Sequence, residues 1–209
     1  MIFYRLWFFF LFITSTVLSQ SFEGKILYQN TYKSKSPNVT DEQISQMLGT
    51  EQEYLIKEGN YKSSSNGTFL LWSLYISKDN KLYAKMANSP AIFWRDGAEN
   101  PDEVTKAEIN KGVVTILGHL CDELVLTCKS GIQKYYFSPK VKADPAVFSQ
   151  HKFGNWSEFI SRSKALPLKI LIETPQFIME SIATEIAAAK LDDAEFELPA
   201  DSQLQKSPY

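Results

Sequence analysis

The sequence predicts a mostly β, α+β fold: an antiparallel sheet or barrel with helices added to it. Three observations carry that reading. From Glu51 to Pro139, short strand-like runs alternate with turn signals at a regular spacing, which indicates antiparallel hairpins rather than βαβ units. Two segments, beginning at Thr40 and at Asp144, carry helix-start signals. No internal repeat, low-complexity tract or Pro/Gly-rich linker divides the 209 residues, so a single domain over residues 20–209 is expected behind an N-terminal leader.

The leader is Met1 to Ser19, MIFYRLWFFFLFITSTVLS. One charge, Arg5, precedes an apolar run that reaches Leu18 and is broken only at Thr14, Ser15 and Thr16. That run is shorter than the roughly 20 apolar residues a bilayer span needs. A positive start and small residues (Val17, Ser19) before Gln20 suit a cleaved secretory signal instead. No Cys follows the run, so a lipid-modified N-terminus is not expected. The expected location is therefore periplasmic or secreted. Cleavage would remove Arg5 and the aromatic residues Phe3, Tyr4, Trp7, Phe8, Phe9, Phe10 and Phe12. No later stretch approaches membrane length, so no transmembrane segment is expected in the mature chain.

The elements then follow in order. FEGKILYQNTYK alternates as a first strand, with Phe22, Tyr28 and Tyr32 sharing one parity. Thr40-Asp41-Glu42-Gln43 is a capping-box pattern, Ile44, Met47 and Leu48 form one apolar stripe, and Gly49 supplies a stop. This short helix is read as an excursion between the first two strands. EQEYLIKE, FLLWSLYIS, KLYAKMA, AIFWR, GVVTIL, DELVLTC and IQKYYFSP read as strands. Glu58-Gly59-Asn60, Asn66-Gly67, Lys78-Asp79-Asn80, Asn88-Ser89-Pro90, Asp96-Gly97 and Lys129-Ser130-Gly131 separate them as turns. Asp144-Pro145 reads as an N-cap with proline at the first helical position. In the stretch that follows, Phe148, Trp156, Phe159 and Ile160 come together at helical spacing, although Gly154 argues against one unbroken helix. LPLKILIE is a strand. In QFIMESIATEIAAAK, Ile178, Ile182 and Ile186 suit either a helix or one face of a strand, and position after LPLKILIETP favours a hairpin. LDDAEFELPAD is turn-like and then irregular.

The two cysteines bound CDELVLTC. As a strand, that segment separates their Cα atoms by about 23 Å, against an upper limit of about 7 Å for a disulfide. Odd spacing also sends the side chains to opposite faces. Two buried thiols are expected, and a disulfide would require a turn inside the segment. No second Cys or His pair completes a metal site.

Taken in order, the leader, FEGKILYQNTYK, ILGHLCDELVL, LPLKILIET and KLDDAEFELPAD resemble an uncharacterised family of bacterial envelope proteins related to the lipoprotein-carrier (LolA-like) fold. The Gly-x-x-Cys element that opens a central hairpin in that family is matched by Gly118, His119, Leu120 and Cys121. The late-strand element is matched by Leu166, Pro167 and Leu168, and the closing phrase by Leu191, Asp192, Phe196, Pro199 and Ala200. The resemblance implies a strongly curved antiparallel sheet, an incomplete barrel, with helices covering its concave side. In the carriers of that fold the cavity holds acyl chains; the family itself has no established chemistry.

Composition narrows the function classes. With 22 basic and 24 acidic side chains, nothing marks a nucleic-acid footprint. Only two histidines occur, His119 and His151, each read as a surface or hydrogen-bonded residue. There is no Gly-x-Ser-x-Gly elbow, phosphate loop or dinucleotide fingerprint. Asp192-Asp193 reads as a solvated turn, and a facing pair of Glu173 and Glu180 across the late hairpin is the nearest approach to paired carboxylates. No catalytic site, metal or cofactor is expected, and the protein is not expected to be an enzyme. The candidate lining of an apolar cavity is Phe69, Trp72, Tyr75, Tyr83, Trp94, Tyr135 and Phe137 on strands with Phe148, Trp156 and Phe159 on the covering helix. Such aromatics equally suit a filled core. The sequence therefore supports a non-catalytic binding protein that carries or senses a lipid or acyl-chain ligand, gated by movement of the helix around Phe148 to Ile160. The alternative is a structural module of the envelope with a filled core that binds another envelope protein.

Overall fold

The computed structural model describes residues 21–208; the signal expected at Met1–Ser19 lies outside the described residues. Gly24–Ser34 (β1) alternates buried and more exposed side chains, one face toward the core, and lies inside the sheet with a partner strand on each side. On one side of it the chain meanders antiparallel through β2 (Glu51–Lys57), β3 (Asn60–Ser65), β4 (Leu70–Ile76), β5 (Lys81–Met86) and β6 (Ile92–Asp96). On the other side lie β11 (Phe177–Ala188), β10 (Ala165–Glu173), β9 (Ile132–Lys142), β8 (His119–Cys128) and the edge strand β7 (Val104–Ile116). A short β12 (Leu204–Lys206) adds parallel to β6, so a single open, predominantly antiparallel sheet of 12 strands results.

That sheet cannot lie flat. Strands β6 and β7 are ten positions apart in the order, which in a flat sheet is about 48 Å. The link from Asp96 to Val104 spans at most about 30 Å even when fully extended. The sheet therefore bends, and β-bulges at Leu27/Tyr28, Leu70/Trp72 and around Pro167 mark where the ladders yield.

Helix α1 (Asp41–Leu48) sits between the first two strands and closes with the capping box: Gln43 N donates to Thr40 Oγ1 at 3.2 Å, and Thr40 N donates to Gln43 Oε1 at 2.9 Å. Gly49 ends it at φ 89°. The segment QFIMESIATEIAAAK resolves as strand β11, paired with both β1 and β10. The helix expected from Asp144 is much shorter than its signals suggest. Residues 145–150 form turns, Phe153–Asn155 a single 3₁₀ turn, and only Trp156–Ser163 (α2) is α-helical. Gly154 and Asn155 both take left-handed φ of 63°, which no α-helix can absorb. Asn155 is held there by its side chain, which accepts from Asn100 Nδ2 at 2.7 Å and donates to Cys128 Sγ at 3.3 Å. Cys121 and Cys128 are both buried free thiols on β8, and burial lifts the Cys128 thiol to about 11.

The Lys-Ser-Gly turn joins β8 to β9 and tolerates nothing larger than glycine at its end. Gly131 has φ 153°, and a Cβ there would collide with the backbone carbonyl oxygen of Glu173. Gly131→Ala is expected to lower unfolding free energy by about 3 kcal/mol, from strain and overpacking together. Urea denaturation checks it, and a loss below about 1 kcal/mol would show that the turn relaxes.

Candidate functional site

Directly opposed residues of neighbouring strands share a face, so the register sorts the side chains. On one face Ile56, Tyr61, Tyr75, Leu82 and Arg95 form a row across β2 to β6, and Tyr54, Ser63, Ser73, Ala84 and Phe93 form the next. The reverse face carries Leu55, Lys62, Leu74, Tyr83 and Trp94.

The first face receives α2 and the turns before it. Phe159, fully buried, stacks on Tyr135 with centroids 4.4 Å apart and meets Phe137 edge-on at 6.0 Å. Tyr54, Tyr61 and Tyr75 stack in succession across three strands at 5.1 and 5.4 Å. His151 lies flat on Tyr75 at 4.0 Å, and its Nε2 shares a 2.8 Å hydrogen bond with the Tyr61 hydroxyl. Trp156 and Phe148 close the cluster. His151 is thus a core residue, 1% exposed, rather than a surface one. Burial pulls its pKa down to about 3, because the imidazolium has no room for water.

The ten aromatics expected to line one cavity are therefore divided. Tyr75, Tyr135, Phe137, Phe148, Trp156 and Phe159 come together on the first face, where they fill space rather than border it. Trp72, Tyr83 and Trp94 belong to a second cluster on the reverse face, covered by Leu191, Phe196 and Leu198 of the C-terminal segment. That segment is tied down by Lys57, which pairs with Asp193 at 2.6 Å, and by Lys62, which pairs with Glu195 at 3.0 Å. The Trp94 ring faces the cations of Lys81 and Lys206 at 4.4 and 5.8 Å. Phe69 is partly exposed ahead of β4.

Two of the cavities bordering the first face bear on the site. One of about 320 Å³ is walled by Phe69, Leu82, Ala84, Met86 and Phe93, with Arg95 and Trp94 at its border. Arg95 donates to Ser207 Oγ at 3.3 Å and stacks over Phe153 at 4.4 Å; no carboxylate among the described residues pairs with it. Its volume falls at the lower end of the range of about 300–1,000 Å³ typical of small-molecule sites. The second, about 240 Å³, is walled by Asn30, Tyr32, Gln52, Ser63, Ser65, Ser73 and apolar Leu48, Leu70 and Met179, and Trp72 of the expected lining also borders it. Both exist because β3 to β5 place serines and an alanine where neighbouring rows carry aromatic rings. Sequence reasoning missed these positions: the alternation of Ser63 with Ser65 was a signal, but small residues say nothing until their cross-strand partners are known.

Other chemistry stays thin. Glu173 and Glu180 are offset in register and each pairs with a lysine, Lys35 at 2.7 Å and Lys169 at 2.8 Å. Among the described residues no group of three or more His, Cys, Asp or Glu is placed to hold a metal ion, and no helix is long and apolar enough to cross a membrane. Scanned against models of known protein families the chain matches none, and a search of curated proteins finds no relative.

Proposed function

We propose that the protein is an exported, non-catalytic binding protein that carries or senses a lipid-like ligand on the bent face of its sheet. In this reading the sheet is an incomplete barrel of the lipoprotein-carrier type, as the resemblance to the LolA-like envelope family implies, and the protein acts in the periplasm or outside the cell. The observation that carries the proposal is the apolar cavity between Phe69, Leu82, Ala84, Met86 and Phe93. Its walls offer an aliphatic chain burial at roughly 0.8 kcal/mol per CH₂. The aromatic cluster beneath α2 is the scaffold of the site rather than its lining.

The test is displacement of N-phenyl-1-naphthylamine by decanoic acid. Wild-type protein is expected to take up the dye and release it to the fatty acid. Ala84→Trp, which fills the cavity, is expected to weaken dye binding at least about tenfold, the loss of roughly two buried methylenes' worth of contact. Met86→Trp repeats the test from the next inward position, and circular dichroism checks that each variant folds. Absence of dye uptake by wild-type protein would overturn the proposal in favour of an envelope interaction module with a filled core. The solid packing around Phe159 is the observation that favours that second reading.

A further inference from the structure

The second cavity differs from the first in chemistry, and its polarity is fixed by a relay of hydrogen bonds. Asn30 is 3% exposed. Its Nδ2 donates to Gln52 Oε1 at 3.3 Å and to the Gly49 carbonyl at 3.5 Å, and Gln52 Nε2 donates in turn to Ser63 Oγ at 2.7 Å. Because Ser63 accepts, its own hydroxyl proton is left to donate. Asn30 Oδ1, buried at the wall of the cavity, accepts no hydrogen bond from any described residue. An unsatisfied buried acceptor of this kind is costly unless something donates to it. Ser73, directly opposite Ser63, adds a further hydroxyl. The hydroxyls of Tyr32 and Ser65 already donate to the Gly49 and Leu70 carbonyls, so the site is left with one open acceptor, two free hydroxyl donors and no charged side chain. Such a set matches a neutral group that both donates and accepts, which a hydroxyl does and a carboxylate or ammonium does not.

The two cavities adjoin. Ser73 of the polar one faces Ala84 of the apolar one directly across β4 and β5, and Leu70 of the polar one faces Met86 of the apolar one. We propose that the polar cavity binds the neutral, hydroxyl-bearing head of the ligand whose aliphatic part occupies the apolar cavity, with Asn30 Oδ1 accepting from that hydroxyl and Ser63 and Ser73 donating to it. The inference rests on the lipid-like reading above and narrows it to neutral, hydroxylated amphiphiles.

The experiment compares 1-monodecanoylglycerol with methyl decanoate as competitors for N-phenyl-1-naphthylamine. The two share an acyl chain and differ in the head hydroxyls. The glycerol ester is expected to compete about tenfold better, the effect of one or two net hydrogen bonds. Ser73→Val places a methyl group in the polar cavity without breaking the relay and is expected to abolish that preference, bringing the two esters to equal competition. Asn30→Leu is expected to do the same; should it fail to fold, Ser73→Val decides alone. Equal competition by the two esters, or a preference that survives Ser73→Val, overturns the head-group assignment and leaves the lipid-like reading standing. Failure of the dye and of both esters to bind overturns that reading and this inference with it.

Discussion

Phe159→Ala is expected to destabilise the protein by about 3–5 kcal/mol, the cost of deleting a fully buried ring from a packed core. Its ring lies on Tyr135 and against Phe137 and Trp156, so truncation opens a hole bordered by side chains that are themselves held. Tyr135 donates to Gln133 Oε1 at 3.1 Å and cannot readily swing into the space. Phe159→Leu, closer in volume, is expected to cost less than about half as much. Urea denaturation of both variants checks the pair. A loss under about 1 kcal/mol for alanine would mean that α2 is loosely seated, and would revive the idea of the helix around Phe148 to Ile160 as a moving gate. With the expected loss, that helix is a fixed floor of the fold rather than a gate.

Acid lability is the second large effect. His151 has a folded pKa of about 3 against about 6.5 when unfolded. A lowered histidine pKa means that the unfolded chain binds the proton more tightly. The stabilisation is complete above about pH 6.5 and is lost as pH falls toward 3, at roughly 1.4 kcal/mol per pH unit. Between pH 7 and pH 4.5, about 2.5 kcal/mol is expected to go. Carboxylates with lowered pKa, such as Glu103, Asp122 and Glu123 with their lysine partners, add a loss of the same sign at lower pH. His151→Phe separates the two. It keeps a ring on Tyr75 but cannot protonate, so its stability is expected to decline less over that interval by about 2.5 kcal/mol, although it starts lower for want of the Tyr61 bond. Parallel curves for the two proteins would show that the imidazole is solvated after all.

Much of the fold is legible in the sequence because its signals are local. The capping box at Thr40 and Gln43, the stop at Gly49 and the Lys-Ser-Gly turn each act within a few residues, and each appears where its chemistry requires. Parity within a strand was available but was overridden when Trp72 and Tyr75 were expected in one lining: three apart on β4, they take opposite faces of the sheet. What could not be read is which parity of one strand faces which parity of the next. Tyr83 looks as suitable for the inner face as Tyr75, and the register alone places it with Leu74 and Trp94 on the reverse side. The long helix failed for a related reason. Its apolar spacing was genuine, but the buried amide of Asn155 wins over helical continuity by bonding Asn100 and Cys128 from a left-handed backbone.

The cavities were the least legible feature. Ser63, Ser73 and Ala84 are unremarkable on their own strands and become a recess only when register lays them side by side beneath taller neighbours. By itself the sequence determined a mostly β fold, its turns, the short α1 and the set of large side chains that must leave water, because propensity, capping and hydrophobic periodicity all act over a few residues. Only the tertiary structure decided which face each ring occupies, that the aromatic cluster under α2 is filled, and where space is left. Those outcomes depend on pairings between strands distant in the chain, and a shift of one residue in any of them would exchange the two faces.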